Sequence, residues 1–325
     1  MRYLIALILL AGACSAPAQL LAPLGECKLT SGEVIQDCKI GYRTFGKLNS
    51  TASNAILWPT YFTGTSENLQ SYVGKGKLLD PEKYFVILVD ALGDGISSSP
   101  SNSTKQPGMK FPKFTIHDMV NAEYRLVTEV LHIKKLHAVM GISMGGMQTF
   151  DWVVSYPAAV ELAIPIVGSP ALSAIDKLLW TAEMHALERD PAWAGGSYKG
   201  HPDLKTVLDI HNFALTTPEF RSKDAASADF DAWLAKSEKT AFDWNNWYRQ
   251  LQAMLSQNLP LKAPAGPKLL VIAAAQDHMV NPLSAIAFAK ASNGLILTLE
   301  GNCGHLAPGC ESAKWFPVAQ QFLSK

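Results

Sequence analysis

No stretch of this 325-residue chain concentrates charge of one sign. Lys and Arg number 28, Asp and Glu number 28, and charged residues make up only 17% of the sequence. That balance excludes the basic footprint of a nucleic-acid binder and any acidic or basic tail. The sequence contains no His-Glu-x-x-His, no Cys-x-x-Cys and no Walker loop, and Gly93-Asp94-Gly95 does not open a helix as a dinucleotide site would. No metal and no cofactor is therefore expected. No internal repeat is visible. Apolar residues reach 48%, the composition of a globular chain rather than a disordered one.

What the N-terminus does have is an export signature. Arg2 precedes the apolar run Tyr3–Ala11, and small residues follow. The run is too short for a stable membrane span. Residues 1–18 are read as a signal peptide with Ala16-Pro17-Ala18 as the cleavage region, which places the mature protein in the periplasm or outside the cell. Lipidation at Cys14 is the weaker alternative, because an Ala stands where such signals usually carry Leu. Four thiols remain after cleavage: Cys27, Cys38, Cys303 and Cys310. Three pairings are open, and an oxidising compartment favours disulfides. The local pairs Cys27–Cys38 and Cys303–Cys310 are the simplest.

Strands and helices alternate along most of the chain. Residues 29–45 read as two edge strands turning at Ser31-Gly32. Apolar runs at 54–58, 84–89, 136–140, 162–167, 268–275 and 295–299 read as buried strands, with an amphipathic helix over 116–131. This order implies an α/β fold with a doubly wound, mostly parallel sheet. Residues 170–264 break the rhythm. They read as helices and hold five of the eight tryptophans (Trp180, Trp193, Trp233, Trp244 and Trp247). The expectation is a core of residues 24–169 and 265–325 with a helical cap of 170–264 inserted over the substrate edge. No single tryptophan is given a site role.

The sharpest local signal is Gly141-Ile142-Ser143-Met144-Gly145-Gly146, set between the strand ending at Met140 and a helix from Met144. A tight strand-to-helix turn needs small residues on either side of the serine, and it presents the hydroxyl at a helix N-terminus. A nucleophilic serine needs a base, and the base needs an orienting acid. On this architecture they follow in the order Ser, acid, His, each after a strand. Asp277 and His305 fit both position and order. His117, His132, His185, His201 and His211 fall on helices, in the cap or before the acid. His137 lies within a strand, and His278 adjoins the acid. Asp90 also ends a strand but precedes the serine. The oxyanion hole is expected from the backbone N–H of Met144 and one from the loop after Trp58, either Phe62 or Tyr61.

These residues carry a resemblance. The chain is similar to the homoserine O-acetyltransferase family of α/β-hydrolases over nearly all of the expected mature sequence. The matching stretches are Ser31-Gly32-Glu33-Val34, Pro81–Val86, Phe111-Pro112 with Thr115–Val120, Ser143–Gln148, and Asp190-Pro191 with Trp193 and Gly195–Tyr198. The resemblance implies the α/β-hydrolase fold, the same triad, a helical cap and a route to homodimers through cap helices. Two departures bear on the substrate. Family members that acylate homoserine hold its carboxylate with a cap arginine, at a position that corresponds to Met184 here. They hold its amine with an acid directly after the catalytic histidine, where this chain has Leu306. Each lost charge-assisted hydrogen bond is worth ~1.5–3 kcal/mol. An apolar Met184 and Leu306 suit an uncharged group. The expected activity is hydrolysis of a small, uncharged carboxylic ester. The alternatives are an acyltransferase with a different acceptor and a catalytically silent binding protein.

Overall fold

The computed structural model describes residues 17–223 and 228–325. Most of the signal-peptide expectation, Cys14 included, therefore lies outside the described residues.

Eight strands form one sheet: β1 Leu20–Lys28, β2 Val34–Phe45, β3 Ala55–Pro59, β4 Phe85–Val89, β5 Leu136–Ile142, β6 Val160–Ile166, β7 Lys268–Ala274 and β8 Leu295–Leu299. Their spatial order is β1-β2-β4-β3-β5-β6-β7-β8. The pairs β1–β2 and β2–β4 are antiparallel, and the rest are parallel. A parallel strand covered on both faces must be apolar at every position, and β3 is buried at all five. Alternation sorts those side chains onto two faces. Ala55 and Leu57 join one core cluster with Phe150 and Phe288, whereas Ile56 and Trp58 join another with Trp315 and Phe322.

Two elements depart from the sequence reading. The sheet begins at Leu20, ahead of residue 24, and Leu29–Glu33 is the turn of the hairpin rather than part of a strand. Pro23 and Gly25 disguise β1. They are tolerated because β1 is an edge strand whose pairing shifts register on both sides of Gly25. The helix expected over 116–131 is α-helical only over Ile116–Arg125 (α1), started by a reciprocal Thr115–Asp118 capping box. It then loosens into a π-helical turn at Leu126–Val130.

The remaining long helices are α2 Met144–Ser155, α3 Ala174–Arg189, α4 Lys205–Leu215, α5 Phe230–Ser237, α6 Trp244–Leu255, α7 Pro282–Ala291 and α8 Ser312–Leu323. Helices α3 to α6 fall between β6 and β7, and no strand occurs among the described residues there. Helix α3 packs on both α4 and α6. The sulfurs of Cys27 and Cys38 are bonded, as are those of Cys303 and Cys310, with Cα separations of 5.7 and 6.6 Å. No helix of the described residues is long and apolar enough to cross a membrane.

One buried acid sets a pH limit on this core. Glu123 on α1 accepts a 2.7 Å hydrogen bond from Trp152 Nε1, and burial pushes its carboxyl up from 4.5 to about 8. The folded chain thus retains a proton that the unfolded chain releases. Its contribution is complete below pH 4.5 and is lost as pH rises through about 8. Glu123→Gln keeps an acceptor for Trp152 and is expected to flatten this decline. Thermal midpoints of both proteins across that range test it, and parallel slopes would contradict it.

Candidate active site

Four strand ends supply the site, all at the carboxyl rim of the sheet. Ser143 follows β5, Asp277 follows β7, His305 follows β8, and Tyr61 and Phe62 follow β3. The first of these requires the most unusual backbone. Ser143 has φ 56° and ψ −117°, a left-handed conformation that costs a non-glycine residue ~1–3 kcal/mol. Its N–H donates to Ile166 O at 2.8 Å, locking the turn to β6.

The glycines around it are dictated by close approach. A Cβ on Gly145 would lie 2.5 Å from the Pro59 carbonyl oxygen, and one on Gly146 would lie 2.9 Å from Ile166 O. A Cβ on Gly141 would collide with the Gly145 carbonyl. The first turn of α2 therefore presses against the ends of β3 and β6, which holds the serine rigidly above the sheet.

The three residues singled out by chain order meet. His305 Nε2 lies 2.8 Å from Ser143 Oγ, and His305 Nδ1 lies 2.7 Å from Asp277 Oδ2. The other carboxylate oxygen of Asp277 accepts the N–H groups of Met279 and Val280, both at 2.9 Å. Those bonds fix the carboxylate. All three side chains are buried, with residue exposures of 9%, 6% and 8% for Ser143, Asp277 and His305. The His305 loop is held from several directions. The Cys303–Cys310 bond brackets it, Glu311 Oε1 accepts the Gly301 N–H, and Thr217 Oγ1 donates to Asn302 O at 2.6 Å.

The loop after β3 is pinned at both ends, with two donors left over. Thr60 N–H donates to Val89 O, Thr60 Oγ1 accepts from Ala91 N, and Thr60 O accepts from Gln148 Nε2. Thr63 N–H donates to Gln250 Oε1 on α6. Farther along, Asp90 accepts from both the N–H and the hydroxyl of Ser66. The backbone N–H groups of Tyr61 and Phe62 find no acceptor among the described residues. Nor does the N–H of Met144, which opens α2 and has no carbonyl one turn before it.

Asp90, passed over as the catalytic acid because it precedes the serine, thus has structural work as the anchor of this loop. Burial raises its carboxyl above the ordinary range, and burial together with the Asp90 charge raises that of Asp94 well above it.

A cavity of about 710 Å³ lies between this rim and the helices α3, α4 and α6. Its floor includes Ser143, His305, Tyr61 and Phe62, and Leu306 lines it as expected. Met184 does not line it. The inward stripe of α3 is Asp176, Trp180, Glu183 and Leu187, spaced by four, three and four residues. Trp180 reaches the cavity, whereas Met184, one turn on, packs half-buried beside the stripe. His211 was set aside as a cap histidine, yet it lines the cavity with its Nδ1 3.1 Å from Glu183 Oε1. The available signal was Glu183, an acid set between Trp180 and Leu187 on the inward face of α3. Among the described residues no group of three or more His, Cys, Asp or Glu side chains could hold a metal ion.

The packing at the elbow has a direct test. Gly145→Ala forces its methyl group into Pro59 O. It is expected to destabilise the protein by about 1–3 kcal/mol in chemical denaturation, the usual cost of overpacking. An unchanged midpoint would contradict the close approach of α2 to β3.

Comparison with known proteins agrees with this architecture. A family model described as the alpha/beta hydrolase fold matches residues 61–308. An ethyl acetate hydrolase of Pseudomonas veronii is 38% identical over 205 residues, covering 61% of this chain and 58% of that protein. A homoserine O-acetyltransferase of Pelobacter propionicus is 37% identical over 193 residues, covering 54% of this chain and 52% of that one. The chain thus matches little more than half the length of these curated relatives. Among solved structures, an acetylester hydrolase from Corynebacterium glutamicum superposes with a TM-score of 0.87 at 27% identity, covering 95% of this chain and 96% of that one. The resemblance to homoserine O-acetyltransferases is thereby upheld, alongside an equal likeness to esterases. By the extent of the family match, the chain belongs to the α/β-hydrolase fold family.

Proposed function

We propose that the protein is an exported serine hydrolase that cleaves a small, uncharged carboxylic ester through an acyl-serine intermediate. The observation that carries this is the unbroken run of short contacts from Ser143 Oγ through His305 to Asp277, at 2.8 and 2.7 Å, on the floor of a largely apolar cavity. Ser143 attacks the ester carbonyl while His305 Nε2 takes its proton, and Asp277 holds the imidazole by its Nδ1–H and stabilises the imidazolium. The N–H of Met144, with that of Tyr61 or Phe62, receives the oxyanion. His305 then protonates the leaving alcohol and activates water to release the acid. Residues 170–264 act as the cap that closes the cavity over this rim.

Leu306 supports an uncharged substrate. It is 43% exposed at the cavity, directly after His305, and has no charge to hold an amine. The names of the relatives point to short acyl groups, since one is an ethyl acetate hydrolase and a structural neighbour an acetylester hydrolase. Export is supported by the leader-like first 18 residues and by the two bonded cysteine pairs. The exposed Ile175 and Leu178 on α3 and Phe213 on α4 offer apolar surface for a homodimer through the cap.

A second reading, transfer of the acyl group to an acceptor other than water, draws on the homoserine O-acetyltransferase relatives. One assay separates the two. Ethyl acetate and p-nitrophenyl acetate should release acetic acid without any acceptor, and Ser143→Ala should lower kcat by roughly 10³–10⁶-fold. Normal turnover by the alanine variant would refute the mechanism. Release of p-nitrophenol that requires an added alcohol or amine, with the acylated acceptor formed in place of acetic acid, would favour transfer.

A further inference from the structure

The cavity contains a polar device outside the Ser143–His305–Asp277 chain. Glu183 on α3 is fully buried, and it receives two hydrogen bonds from the helical layer. Trp247 Nε1 lies 3.3 Å from Oε2, and His211 Nδ1 lies 3.1 Å from Oε1. An indole N–H can only donate, so Glu183 serves as the acceptor on that side. As a carboxylate it accepts from His211 too, which fixes the proton of a neutral imidazole on Nδ1 and leaves the lone pair on Nε2. Nε2 has no hydrogen-bond partner among the described residues, and the ring lines the cavity. Aromatic packing holds the ring in place, with Phe62 5.7 Å away and Trp247 5.1 Å away between centroids.

The rest of the cap-side lining is Trp180, Leu215, Leu251 and Met254, with no other titratable group. A single oriented acceptor in an apolar wall is how a pocket selects one polar group. We infer that His211, oriented by Glu183, is a specificity-determining residue that accepts a hydrogen bond from a hydroxyl on the substrate. The preferred substrate class is thus a short ester bearing a free hydroxyl, such as a hydroxyalkyl ester or the ester of a hydroxy acid. This inference rests on the hydrolase reading above and deepens it.

The test compares matched esters in which one hydroxyl replaces one methyl group: 2-hydroxyethyl acetate against propyl acetate, and methyl 3-hydroxybutanoate against methyl 3-methylbutanoate. The unsubstituted protein should prefer the hydroxyl member of at least one pair. His211→Leu should lower kcat/KM for that member by about tenfold, the usual effect of one lost hydrogen bond, while the alkyl partner changes little. Glu183→Gln should erode the same preference with His211 still present, because the amide no longer dictates which ring nitrogen carries the proton. His211→Gln, which can set an amide oxygen near the Nε2 position, should recover part of it.

No preference in the unsubstituted protein would overturn the inference, as would equal losses for both members of the pair in His211→Leu. Retained preference in both His211→Leu and Glu183→Gln would overturn it as well. Absence of turnover for every ester would instead bring down the hydrolase reading, and this inference with it.

Discussion

The site depends on how closely the first turn of α2 approaches the sheet. Ser143 can sit above the carboxyl rim only because Gly141, Gly145 and Gly146 leave no side chain between that turn and the ends of β3 and β6. Gly168, after β6, completes the fit, since a Cβ there would lie 2.6 Å from the Gly146 backbone. The strained backbone at Ser143 persists because its N–H is tied to Ile166 O and its neighbours have nowhere else to go. A helix that close also brings its unpaired N-terminal donors to the rim, where negative charge would develop.

Around that contact the molecule divides its tasks. The sheet brings together residues distant in sequence, and the loops after β3, β7 and β8 are each tied down by backbone-directed bonds rather than by side-chain packing alone. Asp277 uses one oxygen for His305 and the other for its own loop. Asp90 does similar service for the loop after β3 through Ser66. The helices between β6 and β7 supply Trp180, Leu215, Leu251 and Met254 to the cavity's wall, and one histidine. On the proposed reading, the catalytic groups stand on the sheet rim and the selective histidine on the helical layer.

Much of this was legible in the sequence, for physical reasons that differ from element to element. Strands β3 to β7 are largely apolar because both faces are covered, and such runs stand out. Ser143, Asp277 and His305 were found because each must follow a strand in a set order. Strand β1 was not visible, since Pro23 and Gly25 are edge-strand residues that read as loop. Met184 was misplaced because counting along a helix fixes the residue but not which turn reaches the cavity. His211 and Glu183 were missed for a related reason: helical spacing says which residues face inward, but not what α3 and α4 face. The tie from Asp90 to Ser66 spans 24 positions and leaves no periodic trace.

The central claim is that Ser143 is an activated nucleophile by virtue of its contact with His305. A fluorophosphonate probe measures this directly. The account predicts a single covalent adduct that maps by mass spectrometry to the peptide containing Ser143, and its near-complete loss in His305→Ala protein that remains folded. An adduct on another residue, or undiminished labelling of Ser143 without the imidazole, would contradict it.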